Sequence, residues 1–131
     1  MSYYFTTTIK EEFEEAIPVV TEALKEEGFG IISEIDIQEK LKEKLGVDFR
    51  KYRILGACNP PYAHKALSLE DKIGTMLPCN VIVQEAEGGG TEVSAVNPLE
   101  SMKAVNNPAL GELAGNVTEM LKKVIDRLSA R

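Results

Sequence analysis

Between Arg50 and Glu85 the chain punctuates itself so heavily that few folds can hold it. The stretch reads RKYRILGACNPPYAHKALSLEDKIGTMLPCNVIVQE and carries both cysteines, Cys58 and Cys79, each followed directly by an asparagine. It also carries the only histidine, His64, and the prolines Pro60, Pro61 and Pro78. Residues 51–58 alternate and are rich in strand formers, with Tyr52, Ile54 and Leu55, which predicts a strand ending at Cys58. Asn59-Pro60 then suits a helix start, with Asn as N-cap and Pro at the first helical position, where no hydrogen bond is lost. Ala63, Ala66 and Leu67 give that helix a small, apolar side. Ser68 with Asp71 suggests a cap for a further turn, ended by Gly74. After Pro78 a second strand is expected over 79–85, its Val81-Ile82-Val83 centre suited to burial. One cysteine therefore ends a strand and the other begins one. An antiparallel pairing would bring those two ends together, with opposite Cα atoms about 5 Å apart.

The flanking segments extend the pattern. Residues 2–8 (SYYFTTT) read as a strand of aromatic and β-branched residues. Thr8 with Glu11 forms a capping-box pattern, which places a helix start near Ile9. Phe13, Ile17, Val20 and Leu24 fall on one helical face, Pro18 predicts a kink or an irregular turn, and Gly28 a stop with Phe29 folding back on Leu24. A strand over 30–37 would set Ile31, Ile35 and Ile37 on one face and Glu34 and Asp36 on the other. A short helix with Leu41 and Leu45 stops at Gly46. Residues 87–90 (EGGG) form a hairpin loop into a strand over 91–96. Residues 98–106 read as a loop or a short helical turn containing Met102. Asn107-Pro108 opens the longest helix, 108–129, striped by Leu110, Leu113, Val117, Met120, Leu121, Val124 and Leu128. Gly111 and Gly115 carry the spacing of a close backbone approach. The resulting class is α+β: one domain over 1–131, an antiparallel sheet covered by helices, with short helices between strands.

The segments ILGACNP and IGTMLPCNVIVQE, with the Ala63/Ala66/Leu67 spacing and Glu70 between them, resemble the family described as domain of unknown function 302. Met76 stands where that family more often has leucine, and Asp71 where it often has proline. The resemblance is strongest over 50–98 and stays in register over the rest. It implies an α/β fold like that of the TATA-binding-protein superfold, an antiparallel sheet packed by helices, commonly as a homodimer. It implies no activity.

Composition excludes several function classes. The net charge of −6 opposes binding to nucleic-acid backbones and to anionic membrane surfaces. No apolar run approaches the ~20 residues that a membrane span needs. The start, MSYYFTTTIK, lacks a basic leader and an apolar segment, so the expected compartment is the cytoplasm, where two cysteines are reduced thiols. Asn116-Val117-Thr118 matches a glycosylation sequon, which in that compartment has no consequence.

Cys58, Asn59, Cys79, Asn80 and Glu70 are the candidate ligand-binding residues. The two thiols would either line a cleft beside helix N-termini or simply fill the core as small apolar groups. Asn59 would either present its amide to the cleft or cap its helix. Asn80 opens a strand, where Asn is disfavoured. Glu70 and Asp71 could exchange protons, but sequence offers no partner to perturb them. A metal site would have to draw on Cys58, Cys79 and His64, with a carboxylate such as Glu70 to complete it, and these spacings match no standard zinc pattern. No nucleophile triad, P-loop or dinucleotide fingerprint occurs, and the residues name no cofactor. Three readings stand: a small cytoplasmic ligand-binding or accessory module, a thiol-dependent or metal-assisted enzyme built on Cys58 and Cys79, and an interaction module whose dimer surface is its function. The sequence leaves open whether any reaction is catalysed.

Overall fold

The computed structural model describes residues 2–131. In chain order its elements are β1 (Tyr4–Ile9), α1 (Phe13–Glu26), β2 (Gly30–Asp36), α2 (Ile37–Leu45), β3 (Tyr52–Cys58), α3 (Pro60–Leu69), a 3-10 helix (Asp71–Met76), β4 (Cys79–Glu85), β5 (Thr91–Val96), α4 (Pro98–Ser101) and α5 (Pro108–Ser129). The five strands form one sheet in the order β1-β5-β4-β3-β2, with every neighbouring pair antiparallel. The expected α+β class is therefore observed: an antiparallel sheet, two long helices against it and short helices between strands. Among the described residues no helix is long and apolar enough to cross a membrane.

Side-chain alternation decides which face is covered. Cys79, Val81 and Val83 of β4 point to the helices with Leu55 and Ala57 of β3 and Val93 and Ala95 of β5. Into that layer α1 inserts Phe13, Ala16, Val20 and Leu24, and α5 inserts Val117, Leu121, Val124, Ile125 and Leu128. Both helices present the i, i+3, i+4 stripe that burial on a sheet requires. At about 25 cal/mol per Å² of apolar area, this layer is the main source of stability. The opposite face carries Tyr4, Thr6, Ile54, Ile82, Ser94 and Gln84, and a shallow depression of about 400 Å³ runs across it.

The helix ends follow local chemistry. At the C-terminus of α1, Phe29 N donates to Leu24 O (3.0 Å) and Gly28 N to Lys25 O (3.0 Å), with Gly28 at φ 87°. This is the fold-back that Gly28-Phe29 predicts. Asn107 caps α5, its Oδ1 accepting from Ala109 N (3.1 Å), and Gly46 closes α2 at φ 67°.

Several sequence expectations fail for identifiable reasons. The first helix begins at Phe13, not near Ile9, because Thr8 and Ile9 are held in the β1–β5 ladder opposite Glu92 and Thr91. Glu11 therefore caps nothing and pairs with Arg131 at the far end of the chain. The helix continues through Pro18 from Phe13 to Glu26. β2 stops at Asp36, whose carboxylate accepts from Glu39 N (3.0 Å) and starts α2 at Ile37. A bulge between Ile31 and Ser33 breaks the alternation: Ile31 pairs with Ala57 on the covered face, whereas Ile35 pairs with Ile54 on the other. Glu34 consequently lies on the helix side and, with Glu14 and Asp36, surrounds the Arg53 guanidinium. Ser68 sits inside α3 and donates back to His64 O (2.8 Å), so it caps no further turn. A Cβ at Gly111 or Gly115 would meet nothing within 4 Å, so neither marks a close approach.

Candidate functional site

Where β3 ends and β4 begins, the sheet, α3 and α5 fail to close completely and leave a cavity of about 280 Å³. Ala57, Cys58 and Cys79 form its sheet side. Tyr62, Ala63, Ala66 and Leu67 of α3 form one wall, and Leu113, Ala114 and Val117 of α5 another. Phe29 and Ile32 stand at one end, Leu77, Pro78, Pro98 and Met102 at the other, and Asn59 completes the lining. The cause of the void is visible in the side chains: where α3 and α5 face each other they carry Ala63, Ala66 and Ala114, too short to fill the space. Ile32 and Leu67, 66% and 45% exposed, leave an apolar rim open to solvent. None of the lining residues is charged.

Both cysteines are free thiols and both line this cavity. The register nevertheless offsets them by one residue. Cys79 faces Ala57, and Cys58 faces Gly30 of β2, so the two cysteines are near each other without being directly opposite. They share the space because it lies at the strand ends. Cys79 is only 9% exposed. Burial first, and the neighbouring Cys58 second, push its thiol up to about 11, so it is protonated at neutral pH.

The other candidates are distributed unevenly. Asn59 stands at the N-cap of α3, as expected, but its side chain makes no capping bond. Its Nδ2 packs against Gly28, 3.0 Å from where a Cβ would sit, so glycine is needed there for space as well as for its positive φ. Asn80 lies opposite Gly56 on the other face of the sheet and does not reach this cavity. It borders a smaller cavity of about 250 Å³ that begins behind Pro78 and Met102. Gly56 lets that wall form: a Cβ there would stand 2.1 Å from Ser33 Oγ and 2.7 Å from the Pro78 ring. Glu70 is outside both cavities and accepts from Asn107 Nδ2 (3.4 Å), which also donates to Leu69 O (3.0 Å). This ties the end of α3 to the start of α5. His64 is exposed on α3 and lines neither cavity. Among the described residues no group of three His, Cys, Asp or Glu is placed to hold a metal.

The polar hub beside the site is Asn97, which directly follows β5. It is fully buried. Its Oδ1 accepts from Leu99 N (3.2 Å) and Thr118 Oγ1 (3.1 Å), and its Nδ2 donates to Ser2 O (3.1 Å). Pro98 and Met102 are thereby fixed against α5 as the far wall of the cavity. The Asn-Pro pair itself was the available signal, because it matches the Asn107-Pro108 cap.

Comparison with known proteins gives one family. The model described as "Domain of unknown function DUF302" matches residues 5–128. The chain is also similar to a solved structure described as an uncharacterized conserved DUF302 protein from Bacillus stearothermophilus. The two share 33% identity, 98% of this chain and 99% of that chain are covered, and the TM-score is 0.89. No curated protein matches.

Proposed function

The chain belongs to the DUF302 family, whose description assigns no reaction, and from that premise we propose that it binds a small, uncharged, largely apolar molecule in the cavity between α3, α5 and the ends of β3 and β4. One observation carries the reading: a cavity of about 280 Å³ whose lining holds no charged side chain. A dry cavity of about 150 Å³ accepts benzene, so this one has room for a body of roughly twice that size. An ion entering it would lose its hydration without gaining a counter-charge, at a cost of several kcal/mol. A neutral apolar ligand incurs no such cost, and Asn59 offers an amide with which to orient it. The protonated Cys79 suits a lining role better than nucleophilic attack. The exposed, outlying His64 gives a metal-assisted alternative no third ligand. Reduced thiols fit a cytoplasmic protein.

Naphthalene is a suitable probe, because its two fused rings match the volume. Saturable shifts of the Ala63, Ala66 and Met102 methyl signals on titration are expected. Ala63→Leu and Ala114→Leu, each confirmed folded by its melting curve, should abolish them. Unsaturable or surface-wide shifts would reject the reading.

A homodimer is the second part of the proposal. What supports it is the sheet face turned away from α1 and α5, which displays Tyr4, Ile54, Ile82 and Val96 and is bordered by the edge-on pair Tyr3 and Tyr4. Light scattering should give twice the 14.4 kDa chain mass at micromolar concentration. A monomer throughout that range would reject it.

A further inference from the structure

We propose that Cys58 and Cys79 together hold a soft monovalent cation, copper(I), as a two-coordinate site on the sheet side of the cavity. This goes beyond the apolar-ligand reading and does not rest on it. The two thiols are the only cysteines of the chain, both are free, and both line the one cavity from neighbouring strands. Cys79 pairs with Ala57, the residue before Cys58, in the antiparallel β3–β4 ladder. One step along a strand and one strand across sets their Cα atoms about 6 Å apart. That separation lies inside the span over which two cysteines can be joined directly. An ion between the sulfurs relaxes the demand further, since two metal–sulfur bonds of about 2.3 Å each replace one S–S bond. Cys58 is the last residue of β3, so both side chains meet the space where the ladder ends. After burial, the neighbouring Cys58 is the second cause of the raised Cys79 thiol, an effect that requires the two to be close.

The donor set selects the ion. Besides the two Sγ atoms the lining offers the Met102 thioether, the Asn59 amide and the Tyr62 phenol, and among the described residues no carboxylate or imidazole. Sulfur donors select soft ions, and calcium, magnesium or manganese find no oxygen cage here. Zinc(II) takes four ligands and cannot complete its shell with two thiolates. Copper(I) is held by two thiolates alone, and the apolar walls keep water and competing ligands off it. The desolvation cost that keeps other ions out is offset here, because the ligands supply the counter-charge. Each S–H bond breaks, its proton leaves to solvent, and its electron pair forms the sulfur–copper bond. No electron is transferred. Cys58 is the half-buried member and Cys79 the buried one, so the ion enters past Cys58.

The test titrates the intact chain with copper(I), kept reduced by ascorbate without oxygen, against the chelator bathocuproine disulfonate. Native mass spectrometry should find one copper per chain, and zinc(II) should bind at least roughly a hundredfold more weakly. Cys58→Ser and Cys79→Ser, each confirmed folded by its melting curve, should each lower copper affinity by at least roughly a hundredfold, because a lost ligand costs no less than a lost outer-shell partner. The wild-type stoichiometry decides the matter even where a variant does not fold. Two coppers per chain would mean that the thiols act separately, and one copper per two chains would mean that the site lies between copies. Either result overturns the proposal, as does full affinity in a single-cysteine variant, equal retention of zinc(II), or no binding against the chelator.

Discussion

Replacing Asn97 by alanine removes the polar hub beside the cavity, and the structure sets the size of the effect. Three side-chain hydrogen bonds disappear, to Leu99 N, Thr118 Oγ1 and Ser2 O. Each contributes about 1 kcal/mol net, so the sum is about 3 kcal/mol. One partner is partly rescued: Leu99 N also donates to Thr118 Oγ1 (3.2 Å), so neither group is left wholly unpaired. The total therefore stays near the simple sum and is not enlarged by an orphaned buried donor. For a domain of this length, about 3 kcal/mol corresponds to a fall in Tm of roughly 10 °C. Urea unfolding of Asn97→Ala, Thr118→Val and the double variant measures it. The double variant should be less destabilised than the two single changes added together, by roughly 0.5 kcal/mol or more, because the residues touch. Naphthalene affinity should fall in Asn97→Ala as the Pro98–Met102 wall loosens. A loss below about 1 kcal/mol, or strict additivity with Thr118→Val, would refute the hub.

Two further outcomes follow from the perturbed groups. The Cys79 thiol, raised from 9.0 to about 11, should alkylate far more slowly than Cys58 at pH 8 and accelerate only as pH approaches 11; equal rates under native conditions, read by mass spectrometry, would contradict its burial. Its stabilising contribution is fully present below pH 9 and lost as pH rises through about 11, so Cys79→Ala should flatten the alkaline limb of the stability curve. The Arg131 guanidinium holds the Glu11 carboxyl at about 2, below its ordinary 4.5, so that pair's contribution is present above pH 4.5 and lost as pH falls towards 2. Glu11→Gln should differ from wild type in urea midpoint at pH 7 and converge with it near pH 2, and the difference should shrink in 0.5 M salt because Arg131 is exposed.

The sequence carried the architecture well because most of its signals are local. Asn107-Pro108 and the apolar stripe mark α5, Gly28-Phe29 marks the end of α1, and the glycines of 88–90 mark the hairpin, each through chemistry confined to a few residues. It failed where a distant partner overrode the local preference. The Thr8/Glu11 pattern is a sound capping box, yet the β5 ladder holds Thr8 and Arg131 takes Glu11. Ile31, Ile35 and Ile37 alternate on paper, but one bulge and one Asp36 cap send them to different places. At the site, Cys58, Asn59 and Cys79 gather because they sit at paired strand ends. Asn80 does not, since a one-residue step changes the face of a sheet. Leu113, Ala114 and Met102 were invisible as lining residues, because the cavity is defined by what α3 and α5 omit.

The strand order has a consequence for how the chain reaches its fold. β2, β3 and β4 each pair with the next strand in sequence, but β1 closes onto β5, from Tyr4 to Val96 and Ile9 to Thr91. Joining ends so far apart costs about 2 kcal/mol more loop-closure entropy than a ten-residue hairpin. The four-stranded meander is therefore expected to assemble before β1 docks onto it. Native-state hydrogen exchange should find β1 amides opening before those of β3. Whenever β1 is released, β5 presents a bare edge whose register accepts the same strand from another copy, and strand exchange between chains then needs no contact that the monomer lacks.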